Sequence, residues 1–129
     1  MGAALKLAAN AFFGIQVAAM AELLGFLEAQ GLEKSRALAI LESTPLLSAG
    51  AKGAALQMVS GAFAPLFPVE LVDKDLGYAM DAATRSASRV PVTEVTRAIY
   101  AEAVRQGLGN DNLSGIVRMY GKGSPQPTS

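Results

Sequence analysis

Two polar side chains interrupt a run of small and apolar residues near the start of the chain. Lys6 and Asn10 lie four residues apart within GAALKLAAN, residues 2–10. In a helix this spacing places an amine and a carboxamide on one face, one turn apart. The small residues around them leave room for a ligand, so the amine could serve as a general acid or base. The ordinary alternative is a lysine that lays its stem over apolar neighbours and keeps its ammonium in water.

The composition excludes several other kinds of chemistry. The 129 residues include no cysteine and no histidine. Disulfides, catalytic triads and the usual ligands of zinc, haem and iron–sulfur clusters are therefore missing, and we predict no metal site. Eleven basic residues balance eleven acidic ones, which gives no reason to expect nucleic acid as a partner. The lack of cysteine fits a cytoplasmic location.

The apolar pattern predicts an all-α fold of five or six helices. Alanine and leucine lead the composition, and no strand pattern is convincing. The predicted helices cover residues 3–30, 33–42, 52–60, 69–89, 91–106 and 113–119. An irregular apolar segment with two prolines separates the third and fourth helices at residues 63–68. We expect one domain over residues 1–120, followed by a disordered polar tail, 121–129.

The first predicted helix is unusually long. Residues 3–30 would span about 40 Å, more than a domain of this size needs, so part of the helix should contact another subunit or domain. Gly14 and Gly25 lie inside it, where close packing against a neighbour is the expected reason. Its apolar face is predicted to hold Leu5, Ala9, Phe12, Phe13, Val17, Met20, Leu23, Leu24 and Leu27. The uncharged stretch, residues 7–21, is short of the roughly 20 residues of a membrane span, and we predict no membrane partner.

The order of several motifs resembles the C-terminal helical domain of the β-hydroxyacid dehydrogenases, which include 3-hydroxyisobutyrate dehydrogenase and glyoxylate and succinic semialdehyde reductases. Gly2, Lys6 and Asn10 match the motif that opens this domain, and Lys74-Asp75-Leu76 matches a second signature. Further matches follow in order at Ala21–Leu24, Gln30–Leu32, Ser48, Phe63, Phe67, Pro91, Tyr100, Gly107 and Gly109. Asn112 departs from the pattern, because the family tends to have aspartate there, and so does Gly115, where alanine is common.

The resemblance implies a fold like the C-terminal domain of 6-phosphogluconate dehydrogenase and a specific activity. The expected enzyme transfers a hydride between NAD or NADP and a short 3-hydroxy acid or semialdehyde. Lys6 would be the catalytic acid or base, Asn10 would contact the substrate, and Lys74 would contact the nicotinamide end of the cofactor. The resemblance also implies a homodimer.

The glycine-rich fingerprint of a dinucleotide-binding domain is not found in this sequence. In the family that domain normally precedes the helical one, and it carries the residue that selects between NAD and NADP. We therefore expect this chain to be the substrate-binding and dimerisation half of an oxidoreductase, without the N-terminal Rossmann domain and inactive alone. A stand-alone helical interaction module without catalysis is the alternative. A relative of the imine reductases is disfavoured by Lys6, since those enzymes generally carry another residue there.

Overall fold

The computed structural model describes residues 2–121 and confirms the all-α prediction. Five α-helices are followed by a short 3₁₀ helix: α1 (Gly2–Ala29), α2 (Lys34–Glu42), α3 (Ala49–Ser60), α4 (Val69–Arg85), α5 (Pro91–Arg105) and the 3₁₀ helix (Leu113–Met119). Within residues 2–121 the only β-type pairing is one isolated bridge, between Pro68 and Asn112. Of the expected tail, 121–129, all but Gly121 lies outside the described residues.

Helix α1 is the centre of the fold. It packs against every other helix, whereas α4 and α5 also pack extensively against each other. Its buried residues are mostly small: Ala11, Gly14, Val17, Ala18, Ala21, Leu24 and Gly25. Small side chains let the neighbouring backbones approach α1 closely, and burying its apolar surface stabilises the assembly at about 25 cal/mol per Å².

This buried stripe corrects the predicted apolar face of α1. Leu5, Phe12 and Leu23 were expected in the core, but they are 66%, 64% and 53% exposed. The 3.6-residue period alone does not say which side of a nearly uncharged helix meets the other elements. The buried side is made mostly of alanines and glycines with Val17 and Leu24 between them, and Leu5, Phe12 and Leu23 lie on the exposed side.

The two glycines inside α1 serve close packing, as predicted. A Cβ at Gly14 would lie 3.2 Å from Val72 Cγ1 of α4. A Cβ at Gly25 would lie 2.5 Å from Tyr120 Cβ and 2.8 Å from the backbone nitrogen of Gly121. The contacts at Gly25 leave no room for a side chain beside the segment after the 3₁₀ helix, whereas a side chain at Gly14 would require Val72 of α4 to move by a few tenths of an ångström.

Helix ends agree with the sequence where a cap was recognised and differ elsewhere. Gly31 and Gly61 have positive φ just after α1 and α3, as expected of C-terminal caps. Helix α3 begins earlier than predicted, because the Ser48 hydroxyl accepts a hydrogen bond from the Ala51 N–H and caps the helix.

Helix α4 ends at Arg85 and not at Arg89. Ala87 adopts a left-handed conformation with φ of 56°, which stops the helix. The Ser88 N–H then donates a hydrogen bond to the Ala83 carbonyl at 2.9 Å, which pairs one of the carbonyl groups at the C-terminal end of the helix. An alanine in this conformation is uncommon, so its residue type gave no warning.

Length and apolarity alone would allow α1 to cross a membrane, contrary to the expectation that its apolar stretch is too short. Its most apolar 18-residue window has a mean hydropathy of 1.5, and 33% of that window is buried inside the fold. A helix at the centre of a packed domain meets the same description, because both environments favour apolar residues.

Candidate functional site

Lys6 and Asn10 lie on the first turns of α1, and the structure brings the second of them to α4. Asn10 is half-buried, and its Nδ2 donates a hydrogen bond to Asp75 Oδ2 at 3.2 Å. Asp75 follows Lys74 in the chain. Two sequence motifs that are 65 residues apart therefore meet through one side-chain contact.

The two candidate lysines are exposed and are not joined to Asn10. Lys6 lies one turn before Asn10, and Lys74 lies on α4 beside Asp75. Among residues 2–121 neither ammonium forms an ion pair, and neither donates a side-chain hydrogen bond. Both are therefore exposed to a ligand or to another domain.

An aromatic wall continues the site along α1. Phe13, three residues after Asn10, stacks on Phe67 with ring centroids 6.4 Å apart and planes inclined by 19°. On the α3 side Gly50 faces the ring of Phe13, and a Cβ there would come within 3.1 Å of Phe13 Cε1. Any larger residue at position 50 would displace the ring.

A cavity of about 260 Å³ opens beside this wall. It lies between α1, α3 and the segment that carries Phe67. No lining residue carries a charge, and its polar side chains are two amides: Phe13, Gly50, Gly53, Ala54, Gln57, Leu66, Phe67, Asn112 and Leu113. The pocket therefore suits the apolar part of a small ligand.

Asn112 fastens the irregular segment that carries Phe67. It is 3% exposed, and its Oδ1 accepts the backbone N–H groups of Leu66 at 3.0 Å and Phe67 at 2.8 Å. The Leu113 N–H also donates to the Phe67 carbonyl at 2.8 Å. The position at which the sequence departs from the family pattern thus fixes one wall of the cavity.

The buried tyrosine behind α1 has a structural role. The Tyr100 hydroxyl donates a hydrogen bond to the Gly14 carbonyl at 2.8 Å, which ties α5 to α1. Burial, and secondarily the Tyr120 phenol, raise the pKa of Tyr100 far above its ordinary value. Burial and then Glu22 also raise the pKa of Tyr120. Both phenols stay neutral at physiological pH.

A second apolar groove lies further along α1, toward α2 and α3. Its volume is about 650 Å³, and the side chains at its rim include Phe12, Leu23 and Phe26, all more than half exposed. The polar groups in it, Ser48 and Gln16, bond to each other at 2.5 Å. A large uncharged surface of this kind is typical of a protein interface.

Sequence reasoning did not select two of the residues that shape this site. Asp75 was noticed only as part of the Lys74 signature, and its contact with Asn10 depends on how α1 and α4 pack. Gln57 lies in the interior of α3 with no motif around it. Its place in the cavity follows from a contact with Asn112, which is 55 residues away.

The proteins that this sequence resembles include reductases, a dehydrogenase and a protein named as a nuclear factor. The sequence is 27% identical over 103 residues to cytokine-like nuclear factor N-PAC of Aedes aegypti, covering 80% of this chain and 18% of that protein. It is 27% identical over 116 residues to glyoxylate/succinic semialdehyde reductase 1 of Arabidopsis thaliana, covering 90% and 40%. The chain therefore spans well under half the length of these relatives.

The fold is that of a solved dehydrogenase domain. The crystal structure of 3-hydroxyisobutyrate dehydrogenase from Salmonella typhimurium superposes with a TM-score of 0.86 at 20% identity, covering 90% of this chain and 41% of that one. Residues 1–120 match the family described as NAD-binding of NADP-dependent 3-hydroxyisobutyrate dehydrogenase. The resemblance drawn from the motifs is thereby confirmed. The chain belongs to this 3-hydroxyisobutyrate dehydrogenase family, whose cofactor is NAD or NADP.

Proposed function

We propose that this chain is the substrate-binding half of a cytoplasmic NAD(P)-dependent oxidoreductase. The enzyme would transfer a hydride between the cofactor and a short 3-hydroxy acid or semialdehyde. The observation that carries the proposal is the Asn10–Asp75 contact, which joins the two motif segments beside Lys6. The reductase and dehydrogenase named among the similar proteins support it.

Lys6 is the proposed catalytic acid or base. Oxidation of a carbinol removes a hydride from carbon and a proton from oxygen, and reduction of a carbonyl returns both. The hydride would be accepted or supplied by the nicotinamide of a bound cofactor. The Lys6 amine accepts or returns the proton, and as an ammonium it offsets the charge that develops on the oxygen. Its exposure in this domain fits a group that a second domain would shield from water.

Asn10 is proposed to hold the substrate oxygen. The carboxylate of Asp75 can only accept hydrogen bonds, so it keeps Asn10 Nδ2 turned toward α4. The second N–H of Asn10 Nδ2 is left to donate to the substrate oxygen, one helical turn from Lys6. The arrangement would place a hydrogen-bond donor from Asn10 on the same oxygen whose single proton the Lys6 amine takes or returns.

Lys74 is proposed to make one contact to the cofactor, but a single lysine does not hold a whole dinucleotide. Its exposed ammonium has no acidic partner within residues 2–121, and it could bind an acceptor group at the nicotinamide end of a dinucleotide. Most of a dinucleotide is normally held by a strand, a glycine-rich turn and a helix. The described helical residues provide no such unit. We therefore expect no turnover from this chain alone.

A second copy of the chain is the proposed occupant of the apolar groove along α1. Phe12, Leu23 and Phe26 present a wide uncharged surface, which two copies could bury against each other without unpaired charge. Leu23→Glu is expected to shift the protein from dimer to monomer, as measured by light scattering. Val95→Glu is a matched control, because Val95 is also more than half exposed but lies on α5 and does not line the groove. A monomeric wild-type protein would contradict this part of the proposal.

The second candidate is an interaction module without catalysis. It is favoured by the same apolar groove and by the similarity to a protein named as a nuclear factor. In that case the groove would matter and the lysines would not. The two candidates differ in what Lys6→Ala does.

The test is an assay of the protein that joins this chain to a dinucleotide-binding domain. Short 3-hydroxy acids and semialdehydes are offered with NAD and with NADP, for wild type, Lys6→Ala and Lys52→Ala. Loss of general acid–base catalysis should lower kcat by about 10²- to 10⁴-fold in Lys6→Ala. Lys52, which pairs with Glu42 at the surface, is the control, and Lys52→Ala should leave kcat unchanged. Equal rates in all three proteins would leave Lys6 without a catalytic role.

A further inference from the structure

The cavity beside Phe13 and Phe67 contains one hydrogen-bond donor whose direction is fixed. Gln57, on α3, is half-buried and lines the cavity. Its Oε1 accepts hydrogen bonds from Asn112 Nδ2 at 2.6 Å and from Ser114 Oγ at 2.5 Å. Its Nε2 donates no hydrogen bond within residues 2–121. The Nε2 atom is also not fully buried, because Asp111 Oδ2 is the only fully buried side-chain nitrogen or oxygen of these residues that lacks a hydrogen bond.

The backbone determines this orientation through two steps. Asn112 faces the N–H groups of Leu66 and Phe67, which can only donate, so its oxygen must point at them and its amide nitrogen must point away. That nitrogen can only donate, so the atom of Gln57 that it meets must be the carbonyl oxygen. The NH₂ group of Gln57 is consequently left as the free end of the side chain.

We propose that Gln57 is a specificity-determining residue, whose amide N–H groups bind a neutral acceptor oxygen on the part of the substrate remote from the reacting carbon. The inference rests on the proposed function, because it extends that substrate from Lys6 and Asn10 into the cavity. Phe13 begins the cavity three residues beyond Asn10, or about 4.5 Å along the axis of α1. A short apolar stem on the substrate would cover that rise and enter the cavity that Gln57 lines.

The surroundings favour a neutral acceptor over a carboxylate. The residues that line the cavity carry no charge, and two phenyl rings form one wall. A carboxylate that entered it would lose water without meeting a cation, whereas an ether, ester or ketone oxygen would lose little and gain the Gln57 hydrogen bond. Gly53 leaves space for the stem, because nothing lies within 4 Å of a Cβ placed there.

The probes are two isosteric hydroxy acids that differ in one atom of the tail. In 3-hydroxy-5-methoxypentanoate an ether oxygen stands where 3-hydroxyheptanoate has a methylene group. Binding is measured on the 129-residue chain by following the Gln57 side-chain amide resonances in ¹⁵N-edited NMR spectra, which needs no turnover. The relative kcat/KM of the two probes is measured in the protein that includes the dinucleotide-binding domain.

Gln57→Glu is the main variant. A carboxylate keeps the hydrogen bonds from Asn112 and Ser114 but replaces the cavity-facing donor by an acceptor. Asn112→Asp is the second variant, because a carboxylate at position 112 would turn the NH₂ group of Gln57 toward itself and leave the Gln57 oxygen facing the cavity. Ser114→Ala is the control, since Asn112 alone still orients Gln57.

Wild type and Ser114→Ala should prefer the methoxy probe over its hydrocarbon counterpart by about tenfold, the size of one hydrogen bond. Gln57→Glu and Asn112→Asp should lose that preference. If Asn112→Asp fails to fold, Gln57→Glu alone decides. An unchanged probe ratio in Gln57→Glu, or Gln57 resonances that the methoxy probe does not shift, would overturn the inference. Shifted resonances without turnover would instead contradict the proposed function.

Discussion

Replacing Asp75 by asparagine tests whether the contact between α1 and α4 orients the substrate-binding amide. The carboxylate of Asp75 accepts from Asn10 Nδ2 at 3.2 Å, and both residues are half-buried. An asparagine at position 75 can donate as well as accept, so it no longer dictates which end of the Asn10 amide faces the substrate. The side-chain volume hardly changes, and the packing of the helices should be preserved.

The magnitude follows from the type of hydrogen bond and its exposure. A hydrogen bond to a charged group contributes about 1.5–3 kcal/mol when it is buried. Because solvent reaches this pair, screening reduces the contribution to about 1 kcal/mol. At 1.4 kcal/mol for each factor of ten, we expect kcat/KM to fall about fivefold. Most of the loss should be in the recognition of the substrate hydroxyl.

The assay compares Asp75→Asn with a matched change two residues earlier. Asp73 accepts a hydrogen bond from Arg97 Nε at 2.7 Å and is not in contact with Asn10. Asp73→Asn should lower the free energy of unfolding by at most about 1 kcal/mol and leave kcat/KM unchanged. If Asp75→Asn and Asp73→Asn alter kcat/KM equally, the contact has no special role in orienting Asn10.

Two further predictions concern the fold. Gly25→Ala would place a Cβ 2.5 Å from Tyr120 Cβ, so it should lower the free energy of unfolding, measured in urea, by about 1–3 kcal/mol. Gly53 has open space around it, so Gly53→Ala should raise the free energy of unfolding by up to about 1 kcal/mol. Equal effects of the two substitutions would refute the close packing of α1 at Gly25. Burial raises the pKa of Tyr100, so its contribution to stability is complete below its ordinary pKa of 10.0 and is lost as the pH rises above that value. Tyr100→Phe, which removes the bond to Gly14, should therefore be less stable by about 1 kcal/mol at neutral pH but should lose less stability above pH 10, and parallel pH profiles would contradict this.

The sequence predicted the elements better than the surfaces they bury. Gly31 and Gly61 marked helix ends because a left-handed cap favours glycine, but Ala87 takes the same conformation with no such signal. The exposed side of α1 was misassigned because Leu5 and Phe12 fit a helical period as well as the small residues do. Tertiary packing decides between those two faces.

The candidate site divides in the same way. Lys6 and Asn10 were selected from local spacing, and that selection needs nothing beyond a helix. The partner of Asn10 is 65 residues away, and the partner of Gln57 is 55 residues away. Contacts at such separations depend on how α1, α3 and α4 pack, and no local pattern in the sequence contains that information.

The central claim is that the Lys6 amine moves a proton during hydride transfer. It is tested most directly by chemical rescue in the protein that includes the dinucleotide-binding domain. The rate at which a semialdehyde oxidises the reduced nicotinamide cofactor is measured for Lys6→Ala with and without added methylamine. Lys6 is exposed on α1, so a small amine can reach the position that the lysine side chain vacates. We expect a rate that falls by at least about a hundredfold in Lys6→Ala and rises again with methylamine concentration. A Lys6→Ala rate equal to that of wild type, or a loss that methylamine does not restore, would contradict it.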